Sequence, residues 1–294
     1  MTATATSPQT DAKLTTSIDR AAWVGAVCDG LRAGRLAPYF GPGVAHLAGS
    51  SAPTTPAELA AFFAAKVALP RRARGDLGAA AQFIESSRHR SIVVNLMSEA
   101  FAPPVEPLPI HQAIARLPVP LIVDTWYDGA MRTALANRSD WGEIQGIRRS
   151  GLGGDQYFAA YDASGAPCPI EMANHWKTVL YKPHGASAPA KNFLVSDSDY
   201  VEVLTEIDIQ TPIPDVVKSR RASLGFVFLG CRLNDQTLRA YARQLLKRSG
   251  ERHFIVVEPG LLTKNEQRFI HEHRLTALVS PLGDVLDRLA QPEP

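Results

Sequence analysis

The sequence predicts an α/β fold, a parallel sheet with helices on both faces and a helical insertion near the ligand cleft, and three observations predict it. Six runs, residues 36–41, 119–125, 179–182, 226–230, 254–257 and 276–279, are short and apolar throughout instead of alternating, the pattern of strands buried on both sides. Most are separated by segments whose apolar residues recur at helical spacing. The 294 residues are 45% hydrophobic and 20% charged, a balance that closes a sizeable core and excludes wholesale disorder.

Along the chain, residues 1–16 are rich in Thr, Ala and Ser, with neither a basic stretch nor an apolar run. A disordered tail is expected there, not a secretory signal. Residues 17–294 read as one domain. Ser17 is placed to cap a helix reaching about residue 31, with Ala21, Val24, Cys28 and Leu31 on its apolar stripe. Residues 51–107 read as helical insertions over the site. Their longest apolar stretch, 59–69, contains Lys66 and is too short to cross a bilayer. Asp128 can cap a helix over 129–136, and residues 139–176 read as a hairpin-containing excursion that turns at Gly151, Gly153 and Gly154. Asp235 can cap a helix over 236–247, where Leu238, Tyr241, Ala242 and Leu245 form the stripe, and further helices are expected over 264–274 and 283–290.

Charge and cysteine usage narrow the function. Thirty-one Lys and Arg against 29 Asp and Glu leave a net charge of +2, which argues against nucleic acid as the partner. The cluster Arg71-Arg72-Ala73-Arg74 is expected to be a solvated loop. Cys28, Cys168 and Cys231 contain no CxxC pair, so they build neither a four-cysteine zinc site nor a disulfide scaffold. A reducing, cytoplasmic interior is the expected setting, with no metal and no membrane contact.

Open parallel sheets bind ligands beyond the carboxyl ends of their strands, so the residues after each run are the candidates. Gly41-Pro42-Gly43-Val44 follows the first and is either a plain glycine turn or a loop whose N–H groups cradle an anion; Pro42 removes one donor, and His46 stands where a GxGxxG fingerprint has its third glycine. Asp124-Thr125-Trp126-Tyr127-Asp128 follows the second, with Asp128 as a cap and Trp126 as packing the plainer alternatives. Pro183-His184-Gly185 follows the third, and a histidine there is a candidate base. Gly230-Cys231-Arg232 opens a second small-residue turn; Cys231 reads as a buried, inert thiol more readily than as a nucleophile. Glu258 ends the list, as an acceptor for ribose hydroxyls or a solvated loop acid.

In this order the strand ends resemble the sirtuin-like superfamily, particularly its bacterial NAD-consuming branch seen in anti-phage defence systems such as Thoeris. That family's Gly-Ala-Gly-Ile/Val-Ser loop is similar to Gly41-Pro42-Gly43-Val44-Ala45. Its His-x-x-Leu/Ile-Ala-x-Leu helix and Thr-Thr-Asn-Tyr-Asp strand end are similar to the segment from His111 to Leu117 and to Asp124-Thr125-Trp126-Tyr127-Asp128. Its Lys-Leu-His-Gly motif matches Lys182-Pro183-His184-Gly185, followed by a similar Val195-Ser196-Asp197-Ser198-Asp199-Tyr200. Its Gly-Tyr/Thr-Ser-Leu-x-Asp turn is similar to Gly230-Cys231-Arg232-Leu233-Asn234-Asp235, and coverage runs from about residue 36 to 289.

The resemblance implies a Rossmann-like fold binding NAD. Gly41, Pro42, Gly43 and Val44 would lie on the pyrophosphate, Thr125, Trp126, Gly230, Cys231, Arg232 and Glu258 elsewhere along the nucleotide, His184 would be the base, and Asp128 would hold the local turn. Three departures stand out. The family's catalytic Asn falls at Trp126, an indole with one donor and no acceptor; the loop's Ser and Ala are Ala45 and Pro42; and the zinc cysteines of deacetylating sirtuins are absent. Protein deacetylation is therefore not expected. Hydrolysis of NAD to nicotinamide and ADP-ribose is one expectation. A degenerate module that holds NAD, ADP-ribose or a related nucleotide uncleaved is the other, and a homo-oligomer or partner protein stays open.

Overall fold

The computed structural model describes residues 19–148, 157–201, 213–250, 252–260 and 262–291. The expected tail, Ser17 and the glycines at 151, 153 and 154 lie outside them. Helix α1 (Arg20–Arg32) leads into β1 (Leu36–Phe40) and the six-residue α2 (Pro42–Leu47). The insertion follows as α3 (Pro56–Lys66), α4 (Leu77–Arg88) and α5 (Arg90–Ala100), then α6 (Pro109–Arg116), β2 (Leu121–Asp124) and α7 (Ala130–Leu135). Next come β3 (Trp141–Gly146), β4 (Phe158–Asp162), β5 (Pro167–Cys168), β6 (Thr178–Lys182), β7 (Gly185–Ala186) and β8 (Asn192–Phe193). The chain closes with α8 (Asp215–Arg221), β9 (Gly225–Leu229), α9 (Gln236–Leu246), β10 (His253–Val257), α10 (Lys264–Glu272), β11 (Leu275–Val279) and α11 (Leu282–Ala290). Among the described residues, no helix is long and apolar enough to cross a membrane.

The main sheet has the order β11-β10-β9-β1-β2-β6-β3-β4-β5. Every neighbouring pair from β11 to β3 is parallel, and only the β3–β4 and β4–β5 pairs are antiparallel. This is the parallel α/β architecture expected from the uniformly apolar runs, and of the Rossmann-like kind that the resemblance implies. Strand residues of one parity, such as Phe40, Ile122, Val227 and Val256, pack with Trp23 and Val27 of α1, Ile114 of α6 and Val285 of α11. The other parity, such as Tyr39, Val123, Phe228 and Ile255, meets Val217 of α8, Ala242 of α9 and Phe269 of α10. Side chains that alternate between two apolar layers leave a central strand little room for polar groups that lack a partner.

The excursion after α7 differs from expectation, because its first strand joins the main sheet. Trp141–Gly146 pairs with β6 in parallel and only then forms the antiparallel hairpin with β4. Its polar residues concealed it. Glu143 and Gln145 are fully buried, Glu143 paired with Arg132 at 2.8 Å and Gln145 donating to the Glu143 carboxylate and to the Ala188 carbonyl. Satisfied polar groups are tolerated in a core that would reject them unpaired.

The topology fixes where a ligand can lie. From β1 the chain proceeds to β2 on one side, and after β6 it returns to β9 on the other. Helix α2 sends Val44 into the first apolar layer, whereas α9 sends Ala242 and Leu245 into the second. The helices leaving β1 and β9 therefore diverge and open a crevice beyond the carboxyl ends of these strands. The insertion forms a third apolar cluster that covers Trp126, Tyr127, Phe193 and Val195 beside this crevice. Thr55 and Asp76 start α3 and α4 by accepting from Glu58 N and Ala79 N.

Candidate functional site

Two cavities occupy the crevice. The larger, about 310 Å³, lies at the ends of β9 and β10 among Ile255, Val257, Glu258, Leu262, Ile270 and Leu282, with Gly43 and His46 from the β1 side. The smaller, about 70 Å³, lies at the ends of β1, β2 and β6 among Tyr39, Gly41, Pro42, Thr125, Trp126 and His184, with Pro56 and Leu77 of the insertion also on its wall. Cys231, Arg232 and Leu233 line both, so the β9 turn forms a wall common to the two cavities.

The turn after β1 and the turn after β9 cross in close contact. Gly41 N donates to Leu229 O at 2.9 Å, Gly43 N to Gly230 O at 2.9 Å and Val44 N to Gly41 O at 3.2 Å. A Cβ on Gly41 would sit 2.5 Å from Gly230 O and one on Gly43 2.8 Å from it, while Gly230 itself has φ +66°. The glycines are needed for this backbone crossing. The amides of residues 41, 43 and 44 are spent within the protein, and Pro42 occupies the first position of α2, where its missing N–H costs the helix nothing. Of the two alternatives the sequence leaves open, these bonds are those of a plain glycine turn. Val44 is a core residue and lines neither cavity.

At the end of β2 each side chain has a partner. Thr125 Oγ1 donates to Phe40 O at 2.8 Å. Trp126 is buried with its indole N–H on Pro53 O at 3.0 Å and its ring against Phe101 and Tyr127, so it anchors the insertion to the strand end. Asp128 Oδ1 accepts from Ala130 N at 2.8 Å at the start of α7, and Asp128 lines neither cavity. This bond is the capping role that the sequence offered for it. Beneath them, Lys182 Nζ is 2.8 Å from Asp124 Oδ2 and from Asp128 O. Burial pushes the Asp124 carboxyl up to about 6, with Lys182 pulling it the other way.

His184 is the exception to this saturation. It is 2% exposed, lines the smaller cavity, and neither ring nitrogen has a hydrogen-bond partner among the described residues. Its ring meets Tyr241 and Tyr200 edge-on, with centroids 4.7 and 5.7 Å away. Burial lowers its pKa to about 4, Lys182 adding to the effect, so the imidazole is neutral at pH 7. Gly185, with φ +78°, turns the chain sharply after it: a Cβ there would lie 2.0 Å from Asn192 O. Cys231 donates weakly to Tyr39 O at 3.4 Å, and burial pushes its thiol up, away from nucleophilic use. Glu258 accepts from Leu282 N at 2.8 Å, which commits one carboxylate oxygen to the start of α11.

Two polar groups that sequence reasoning passed over also belong here. Glu266 is buried and holds Arg232 through both carboxylate oxygens, at 3.0 and 3.2 Å. The signal in the sequence was Thr263-x-x-Glu266, a capping-box spacing. His46 Nδ1 lies 2.8 Å from Thr54 Oγ1, which donates to Glu58 Oε2 at 2.9 Å. Glu58 is held ionised by the Thr54 N–H, so the hydroxyl must donate to it and His46 Nδ1 must carry the proton. The ring nitrogen left outside this chain of bonds is Nε2. Among the described residues there is no group of three His, Cys, Asp or Glu side chains placed to hold a metal ion.

A family model described as SIR2-like domain matches residues 120–278, more than half of the chain. The matched span contains β2, His184 and the β9 turn; it begins beyond the glycine turn after β1. No curated protein matches the chain.

Proposed function

The chain belongs to the SIR2-like domain family, and from that premise we propose that it binds NAD along the crevice and hydrolyses it to nicotinamide and ADP-ribose. The observation that carries this reading is His184, a buried imidazole whose two nitrogens have no partner among the described residues, in a cavity that shares the β9 turn with a larger apolar one. A buried polar group without a partner is costly in a folded protein, and a ligand supplying one offsets that cost. The larger cavity would take the adenosine part, with Glu258 and His46 Nε2 as acceptors for its hydroxyl or amino groups, and the smaller would face the nicotinamide ribose.

Cleavage of the nicotinamide–ribose bond leaves its electron pair on nicotinamide and an oxocarbenium-like sugar. A water then bonds to the anomeric carbon and loses a proton. Neutral His184 has the lone pair to take it, and a weak base suffices because water bonding to a cationic carbon becomes acidic. The aromatic walls supplied by Tyr39, Tyr127 and Tyr200 keep other water out. His184→Ala should lower nicotinamide release, followed by chromatography, by about 10²–10⁴-fold. Unchanged release would remove His184 from the reaction.

Trp126 favours a second reading, a module that holds the nucleotide without cleaving it. Its indole is tied to Pro53 and has no acceptor with which to orient water or a ribose hydroxyl. On that reading the wild-type protein binds NAD and releases no nicotinamide over hours.

A further inference from the structure

We propose that Tyr241 is the positioning residue of His184: its ring, carried on α9, fixes the plane in which the imidazole meets the ligand. This rests on the reading of His184 as the base and adds what holds that base in place. A histidine base is ordinarily oriented by a hydrogen bond at its second ring nitrogen. Neither nitrogen of His184 has one among the described residues, so the imidazole takes its orientation from the groups packed against it.

Those groups form a closed arrangement. Leu194 N donates to His184 O at 2.9 Å, and Leu194 O accepts from the Tyr200 hydroxyl at 3.0 Å and the Tyr127 hydroxyl at 2.7 Å. Tyr200 and the His184 main chain are thus tied to one residue. Tyr241 arrives from a different element and completes a triangle of rings. Its centroid is 4.7 Å from that of His184 and 6.3 Å from that of Tyr200, with planes at 67° and 79°, the edge-to-face geometry that aromatic rings prefer. The third side, His184 to Tyr200, is 5.7 Å at 75°. Tyr241 is buried, yet it joins neither apolar layer of the sheet: Ala242 and Leu245 of the same helix do so, whereas Tyr241 clusters with Leu194 and Tyr200. Its ring therefore serves the surroundings of His184 and not the core. Leu238, one helical turn earlier, lines the smaller cavity, so one stretch of α9 meets the ligand and the base together. The Tyr241 hydroxyl is buried without a partner among the described residues, so Phe at this position keeps the ring and forfeits no hydrogen bond.

Nicotinamide release from NAD by the full chain, followed by chromatography, tests this. Tyr241→Leu should lower kcat about ten- to a hundredfold and leave KM within about threefold, since a small misplacement of a base costs rate and not binding. Tyr241→Phe should stay within about threefold of the wild type in both. In the His184→Ala background Tyr241→Leu should change release by less than about twofold, because a residue that acts through His184 has nothing left to position. Tyr241→Met fills more of the same space and carries the same expectation should the Leu variant not fold. A Leu variant at full rate, a Phe variant as slow as Leu, or an equal loss with and without His184 overturns the assignment of Tyr241 while His184 stands as the base. A wild type that releases no nicotinamide, or His184→Ala at full rate, overturns the reading of His184 and the assignment with it.

Discussion

Acid should destabilise this protein through His184, and the size of the effect follows from where the ring sits. Folded His184 takes a proton only below about pH 4, whereas an unfolded histidine does so below about pH 6.5. Between those values the unfolded chain binds more protons, so stability falls as pH falls through the window and levels off near pH 4. The slope for one group approaches 1.4 kcal/mol per pH unit, about 3 kcal/mol across the window. His184→Phe keeps a ring between Tyr200 and Tyr241 and cannot be protonated. His111 and His253, whose burial also lowers their pKa to about 4, remain in both proteins, as does Asp124, so their contributions cancel in the comparison. Urea denaturation of both at pH 7, 6, 5 and 4.5 is the assay. The variant should gain on the wild type steadily below pH 6.5. A constant difference across that range would refute the claim that His184 is buried neutral.

Two substitutions test the frame around the site. Gly43→Ala places a methyl 2.8 Å from a backbone oxygen that cannot retreat without moving the β9 turn, so it should cost about 1–3 kcal/mol, measured by urea denaturation. An unaltered midpoint would mean that the two turns are not in contact. Trp126→Asn, the change that restores the family's amide, removes a buried indole and its bond to Pro53, and should cost about 3 kcal/mol or more. If the folded fraction of that variant gains nicotinamide release, the rest of the catalytic apparatus is intact; stability equal to the wild type would show that Trp126 does not anchor the insertion.

The legible and illegible parts of this fold divide along a physical line. The strand runs 226–230 and 254–257 lie within a residue of Gly225–Leu229 and His253–Val257, because a strand covered on both faces leaves an unbroken apolar signature. Trp141–Gly146 left none, since Glu143 and Gln145 are paired by partners distant in sequence, Arg132 and Asn192. The site divides likewise. His184, Trp126, Arg232 and Glu258 stand at strand ends that periodicity alone locates, and all of them line the crevice. Their states are set by tertiary contacts: Glu266 under Arg232, Pro53 on Trp126, the tyrosines around His184. The glycines show the opposite case. Gly41 and Gly43 carry a spacing suited to an anion, but what demands them is the neighbouring Gly230 carbonyl, which no local pattern reveals.

The crossing of these two turns also governs which part of the pocket is able to yield. Main-chain bonds tie the ends of β1 and β9 to each other, so the floor beneath a ligand is a continuation of the sheet and shares its stiffness. The roof at Pro56 and Leu77 belongs to helices that reach this floor largely through side chains, the Trp126 indole foremost. A ligand entering the cleft would therefore displace the roof more readily than the floor, and the Trp126–Pro53 bond is a contact that such a displacement would strain.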